Sequence, residues 1–197
     1  EETVEGMQAA EEEEEGGEAE SDEHVGLSLK NAARFCQAIE EAIAAVDPAH
    51  ADLYESNLNA YAEKLHALDE AYRETVNGAA RNTLLFGDRF PFRYLADDYG
   101  LTYYAAFSGC AAETEASFET VTFLAKKVDE LALPTVLIID GSDGKIAETI
   151  VSNTADKSAK ILMLDSMQSV SKQDLAAGAD YLSVMEQDLA VLREALN

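Results

Sequence analysis

With 197 residues and a mass of 21.3 kDa, the chain can hold one domain, alone or with a tail. Its 39 Asp+Glu against 14 Lys+Arg give a net charge of −25, which excludes nucleic-acid binding and docking on an anionic membrane, since both need clustered cations. An apolar content of 47 % is enough for a core and excludes disorder throughout, and no stretch reaches the roughly 18 uninterrupted apolar residues of a membrane span.

The acidity is concentrated at the start. Residues 1–23 carry twelve acids and no base, with few apolar groups to offset the entropy of ordering them, so this segment is predicted to be an acidic disordered tail or loop. Its carboxylates would hold divalent cations only weakly. The chain opens on acid with no Met and no basic-then-apolar leader, and the expectation is a fragment or processed product.

Leu27, Leu29, Ala32, Ala33, Cys36, Ile39, Ile43 and Val46 then recur at helical spacing, predicting a helix within residues 24–46 with Ser28 as N-cap. Asp47-Pro48 stops it and starts another. Within residues 47–79, Tyr54, Leu58, Tyr61, Leu65, Leu68, Tyr72 and Val76 form one stripe closed by Asn77-Gly78, which predicts a long spine helix packed along a domain or joining two.

From residue 80 to 197 the pattern alternates. Strands are predicted at 83–86, 103–107, 135–140 and 160–164, with helices at about 90–98, 117–131, 145–153 and 180–196. The fold class is therefore α/β: a four-stranded parallel, helix-flanked sheet preceded by a long spine helix. Ligands of such sheets bind beyond the carboxyl ends of the strands. Those ends are Gly87-Asp88, Ser108-Gly109-Cys110, Asp140 to Asp143 and Asp165-Ser166, and three of the four carry an Asp, as a cation or polar ligand would require.

Enzyme signatures are sparse. Gly141-Ser142-Asp143-Gly144 follows a strand but matches neither nucleotide-binding glycine motif, and no G-x-S-x-G elbow is present. Glu113 and Glu115 read as charges at a helix N-terminus. Cys36 and Cys110 make no C-x-x-C and are expected to be two separate, half-buried thiols. His50 and His66 read as surface or edge histidines on the spine helix, whereas His24, two residues after Asp22 at the end of the acidic run, is a candidate metal ligand.

Residues Asp22-Glu-His-Val-Gly-Leu-Ser-Leu-Lys-Asn-Ala32 resemble the D-x-H-x-W-L-x-x-x-N-A segment of the zinc- and manganese-type solute-binding proteins of ABC transporters. Leu85 to Leu101 resembles the strand, turn and helix that open the second lobe in that family. Residues 109–119 resemble its following helix start, and Leu162-Met-Leu-Asp-Ser166 its last-strand Asp motif. The resemblance runs from about residue 22 to 197. It implies a two-lobed extracytoplasmic metal carrier that serves an ABC transporter permease, with Zn²⁺ favoured and Mn²⁺ as the alternative cargo. Residues 1–23 would be the charged loop, 24–46 a helix of the first lobe, 47–79 the interlobe spine and 80–197 the second lobe. Most of the first lobe, its first His ligand and the export signal would be absent.

Residue by residue, the resemblance implies that His24 is the second His ligand and Asp165 the carboxylate at the end of the last strand. The third family ligand falls at Gly87, which has no donor, and Asp88 beside it is the candidate substitute; Gly26 stands where the family commonly has Trp. The alternative reading is a flavodoxin-like enzyme or sensor with a strand-end Asp cluster. A phosphoacceptor domain would show paired acids after its first strand and a Lys after its last, and this chain has Asp88 alone and no such Lys. A surface-adhesion role without a physiological metal is a third class.

Overall fold

A computed structural model describes residues 22–107 and 116–197. The acidic run up to residue 21, the 108–110 strand end with Cys110, and Glu113 and Glu115 lie outside the described residues. The order is a short 3-10 turn Val25–Leu27, α1 Leu29–Val46, a 3-10 turn Pro48–His50, α2 Ala51–Asn77, β1 Thr83–Phe86, α3 Arg93–Tyr99, β2 Thr102–Ala105, α4 Phe118–Glu130, β3 Thr135–Ile139, α5 Lys145–Ser152, β4 Lys160–Leu164, α6 Lys172–Ala176 and α7 Tyr181–Ala195. The four strands form one sheet in the order β2-β1-β3-β4, every pair parallel, as the alternation of strands and helices predicts.

The central strands β1 and β3 are apolar on both faces because helices cover both, whereas Met163 on the edge strand β4 is exposed. Leu84, Phe86, Leu137, Ile139 and Leu164 point into one core with Leu65, Leu68 and Tyr72 of α2 and Met185, Leu189 and Leu192 of α7. Leu85 and Val136 point the other way, against Leu124 and Val128 of α4 and Ala147 and Ile150 of α5. The result is a three-layer sandwich, with α1 laid along α2 on its outside.

The long helix is buried unevenly. Leu65, Leu68, Asp69 and Tyr72 are buried in its C-terminal half, whereas Tyr54 and Leu58 nearer its start are half-exposed. Tyr72 ties it to α7, its hydroxyl donating to the Met185 carbonyl at 2.7 Å. Asp69 accepts from Tyr99 of α3 at 2.8 Å and from Arg73 at 2.8 Å. On α1 the outward stripe of Phe35, Ile39, Ile43 and Val46 is exposed. Cys36, half-buried between α1 and the core, carries a free thiol.

The segment ahead of α1 is docked by polar contacts. Ser28 caps α1 by accepting the Asn31 N–H at 3.1 Å, as its type and position predict, and also donates to Asp98 of α3 at 2.6 Å. Lys30 pairs with the second oxygen of Asp98 at 2.7 Å. Tyr94 of α3 donates to the Asp22 carbonyl at 3.0 Å and Tyr181 of α7 to the Gly26 carbonyl at 2.9 Å.

Gly87 ends β1 directly beneath α5. A Cβ there would stand 2.6 Å from the Ala147 Cα and 2.7 Å from its Cβ, so the helix backbone itself forbids a side chain. Around Gly26, by contrast, a Cβ would meet nothing within 4 Å. Gly87→Ala is expected to lower stability by roughly 1–3 kcal/mol, because α5 must shift away from the sheet. Gly26→Ala should change it by less than about 0.5 kcal/mol. Urea denaturation of the two variants checks this, and equal stabilities would show that α5 yields freely.

Candidate metal centre

The carboxyl edge of the sheet gathers the acids picked out from the sequence. Ile139 pairs with Leu164 across β3 and β4, so Asp140 and Asp165 leave the sheet side by side. Asp88 leaves β1, the neighbour of β3 on its other side.

Asp140 anchors this edge. Its Oδ1 accepts the Ser166 N–H at 2.7 Å and the Ser166 hydroxyl, and its Oδ2 accepts the Ser169 N–H at 3.1 Å and hydroxyl at 2.8 Å. Burial works against its charge, but the donors from Ser166 and Ser169 outweigh burial and hold Asp140 below the ordinary carboxylate range. The turn after β4 is thus pinned on both flanks. Between those flanks Met167 has a left-handed φ of 58°, and its N–H donates to Asp165 Oδ1 at 2.8 Å.

Asp165 differs from its neighbour. Burial pushes it above the ordinary carboxylate range; the Met167 N–H opposes that shift, and the charges of Asp140 and Asp174 add to it. Behind it, Asp188 of α7 is 2 % exposed, accepts the Asp165 N–H at 2.9 Å through Oδ1, and has no hydrogen-bond partner for Oδ2 among the described residues. Burial pushes Asp188 up to about 7, against the Asp165 N–H and with the charges of Asp165 and Asp140.

Asp88 is half-satisfied. Its Oδ1 accepts the Arg89 N–H at 2.8 Å, while Oδ2 is buried with no partner among the described residues. Such a buried carboxylate oxygen is a place where a cation would be welcome.

His24 stands in the docked segment ahead of α1, with its side chain 11 % exposed. Its ring is oriented by Asp22, whose Oδ1 takes both the His24 backbone N–H and ring Nδ1 at 2.8 Å. With Nδ1 donating, Nε2 carries the lone pair, the arrangement typical of a metal-ligating histidine backed by a carboxylate. Nε2 faces the side-chain amide nitrogen of Gln168, in the Asp140-pinned turn, at 3.0 Å. His24 and the turn that follows Asp165 therefore meet. Among the described residues, no three His, Cys, Asp or Glu side chains form a set that could hold a metal ion.

His50 bonds Asp47 at the surface and His66 is exposed, as expected. Sequence reasoning missed the orienting role of Asp22, although its i, i+2 spacing from His24 was a signal. It also missed Asp188, a polar residue on the apolar stripe of α7, and Gln168, which carried no signal.

Asp188 makes stability depend on pH. An aspartate in an unfolded chain releases its proton near about 3.9, and native Asp188 near about 7. Between those values the unfolded state loses its proton first, so this contribution to stability falls as pH rises and is fully lost above about pH 7. The lowered Asp140 acts oppositely, its contribution being lost only as pH falls below about 4. Asp188→Asn keeps an acceptor for the Asp165 N–H and cannot ionise. Metal-stripped Asp188→Asn should be more stable than the parent by roughly 1–3 kcal/mol at about pH 8, with the gain vanishing towards about pH 4. Urea unfolding across that range checks it; a pH-independent difference would show that Asp188 does not titrate there.

The family model described as zinc-uptake complex component A, periplasmic (ZnuA), matches residues 1–195. The zinc-binding lipoprotein AdcA of Streptococcus pneumoniae is 32 % identical over 181 residues, which is 92 % of this chain and 35 % of that protein. Two solved structures share the fold: the Zn(II)-bound ZnuA-like domain of S. pneumoniae AdcA (TM-score 0.71, 29 % identity) and the metal-dependent lipoprotein YcdH of Bacillus subtilis (TM-score 0.75, 28 % identity). Each match covers 89 % of this chain and 64 % of the solved chain. The chain thus spans about a third of the length of the streptococcal AdcA that it matches. The resemblance read from the D-x-H segment and the strand-end motifs is borne out, and the chain belongs to the zinc-uptake complex component A (ZnuA) family.

Proposed function

We propose that this chain is part of an extracytoplasmic carrier that captures Zn²⁺, with Mn²⁺ as a weaker cargo, and hands it to the permease of an ABC importer, performing no reaction of its own. The observation that carries this reading is His24: Asp22 holds Nδ1 and leaves the Nε2 lone pair facing the turn after Asp165. Neutral imidazole with carboxylate oxygen suits Zn²⁺, and a larger oxygen share moves the preference towards Mn²⁺. The ligands from this chain are His24, Asp165 and Asp88, the last in place of a donor at Gly87, where α5 leaves no room for a side chain. The relatives supply the cargo class: AdcA is a zinc-binding lipoprotein, and the AdcA domain was solved with Zn(II) bound.

In this reading, residues 1–23 are the charged loop, 24–46 a helix of the first lobe, 47–79 the interlobe spine and 80–197 the second lobe. The exposed stripe of Phe35, Ile39, Ile43 and Val46 supports a further packing partner for α1. A zinc site takes about four donors, more than the three proposed from the described residues of this chain. No helix among the described residues is long and apolar enough to cross a membrane, so within them the carrier does not span one by a helix.

Calorimetric titration of Zn²⁺ and Mn²⁺ into chelator-stripped protein tests the reading. One stoichiometric zinc site is expected, with weaker manganese binding. His24→Ala and Asp165→Ala should each lower zinc affinity at least tenfold, about 1.4 kcal/mol, and Asp88→Asn should lower it less. Weak multi-ion binding, unchanged by all three substitutions, would sink the proposal.

A further inference from the structure

His24 sits between two backbone carbonyls that tyrosine side chains hold. Two residues before it, the Asp22 carbonyl accepts the Tyr94 hydroxyl of α3 at 3.0 Å. Two residues after it, the Gly26 carbonyl accepts the Tyr181 hydroxyl of α7 at 2.9 Å. Both tyrosines are half-buried, and they come from 72 and 155 positions away in the chain. Just beyond Gly26, Leu27 and Leu29 are 3 % and 1 % exposed, in the core that also holds Leu84, Phe86 and Leu137 of the sheet. The short stretch around His24 is therefore fastened to the sheet and its helices on either side of the imidazole.

The helix α7 reaches the other proposed ligand as well. Asp188 lies seven residues after Tyr181, two turns on and close to the same face, and accepts the Asp165 N–H at 2.9 Å. One helix thus holds the His24 segment at its start and the strand end that carries Asp165 roughly 10 Å further along its axis.

We propose that Tyr94 and Tyr181 are positioning residues of the metal site. By holding the carbonyls on either side of His24, they aim its imidazole towards the turn after Asp165 before any ion arrives. Tyr94 does so through Asp22, whose carboxylate in turn holds the ring Nδ1. The proposal deepens the reading of His24 and Asp165 as zinc ligands and rests on it. A segment free to move would lose conformational entropy each time it closed on the ion, whereas one already fastened loses little. Each hydroxyl bond contributes to that fastening by a factor of about two to ten.

Phenylalanine in place of either tyrosine keeps the ring and its packing and removes only the donor. Tyr94→Phe and Tyr181→Phe are each expected to lower zinc affinity about two- to tenfold in titrations of chelator-stripped protein. Each should also alter the visible d–d absorption of bound Co²⁺, which reports the arrangement of the ligands. Tyr99→Phe is the matched comparison. Its hydroxyl, also on α3, donates to Asp69 of α2 at 2.8 Å and so braces the core rather than the His24 segment. It should lower stability to urea and leave zinc affinity and the Co²⁺ spectrum as in the parent. Zinc binding unchanged in both Tyr94→Phe and Tyr181→Phe overturns the proposal. So does a loss in all three variants that follows their lost stability with the Co²⁺ spectrum unchanged, which would make the tyrosines structural only. His24→Ala, measured beside them, separates the two failures. If it binds zinc as the parent does, the ligand reading of His24 fails; if it loses zinc while the two tyrosine variants keep it, only the positioning fails.

Discussion

Asp140 accepts four hydrogen bonds from two serines of one turn, and the course of the chain after β4 follows from that attachment. A parallel sheet buried on both faces has no polar surface to offer except at its ends. By fixing both flanks of the turn after β4, Asp140 sets where Asp165 turns its carboxylate. It also obliges Met167 to adopt its left-handed backbone and carries Gln168 across to His24. The donors that fix the turn also stabilise the charge of Asp140, so the anchor stays ionised where its neighbours are reluctant to.

That contrast gives the corner its electrostatic character. Asp140 is held low, while burial and mutual repulsion push Asp165 and Asp188 up. Three carboxyl groups crowd at one corner, and one of them has an oxygen with no hydrogen-bond partner among the described residues. Asp188 meets Asp165 through the Asp165 backbone N–H, and so helps to fix where Asp165 stands.

Much of the scaffold was legible in the sequence because its periods were unmixed. β1 and β4 fall at the predicted residues, and α1 begins at the Ser28 cap. The Asp47-Pro48 break is also where predicted, although a 3-10 turn at Pro48–His50 intervenes before α2. The helix α6 escaped notice because its five residues, Lys172–Ala176, bury nothing, and it is marked only by the capping box of Ser171 and Asp174. Of the candidate site, His24 and the strand-end acids could be read from residue type and position. The Gln168 contact could not, since two turns far apart in the chain create it and neither has a period. The reason Gly87 lacks a side chain was equally hidden: it lies in the approach of α5, which only packing reveals.

The bare stripe on α1 has a consequence for how this chain behaves in solution. Phe35, Ile39, Ile43 and Val46 are exposed on a protein whose net charge is −25. Long-range repulsion between such molecules keeps the stripes apart in dilute buffer, where the Debye length is tens of ångströms. Salt shortens that range to a few ångströms and leaves the apolar attraction intact or strengthened. The chain is in this sense a charge-stabilised colloid, and ionic strength governs whether its molecules stay dispersed or coalesce.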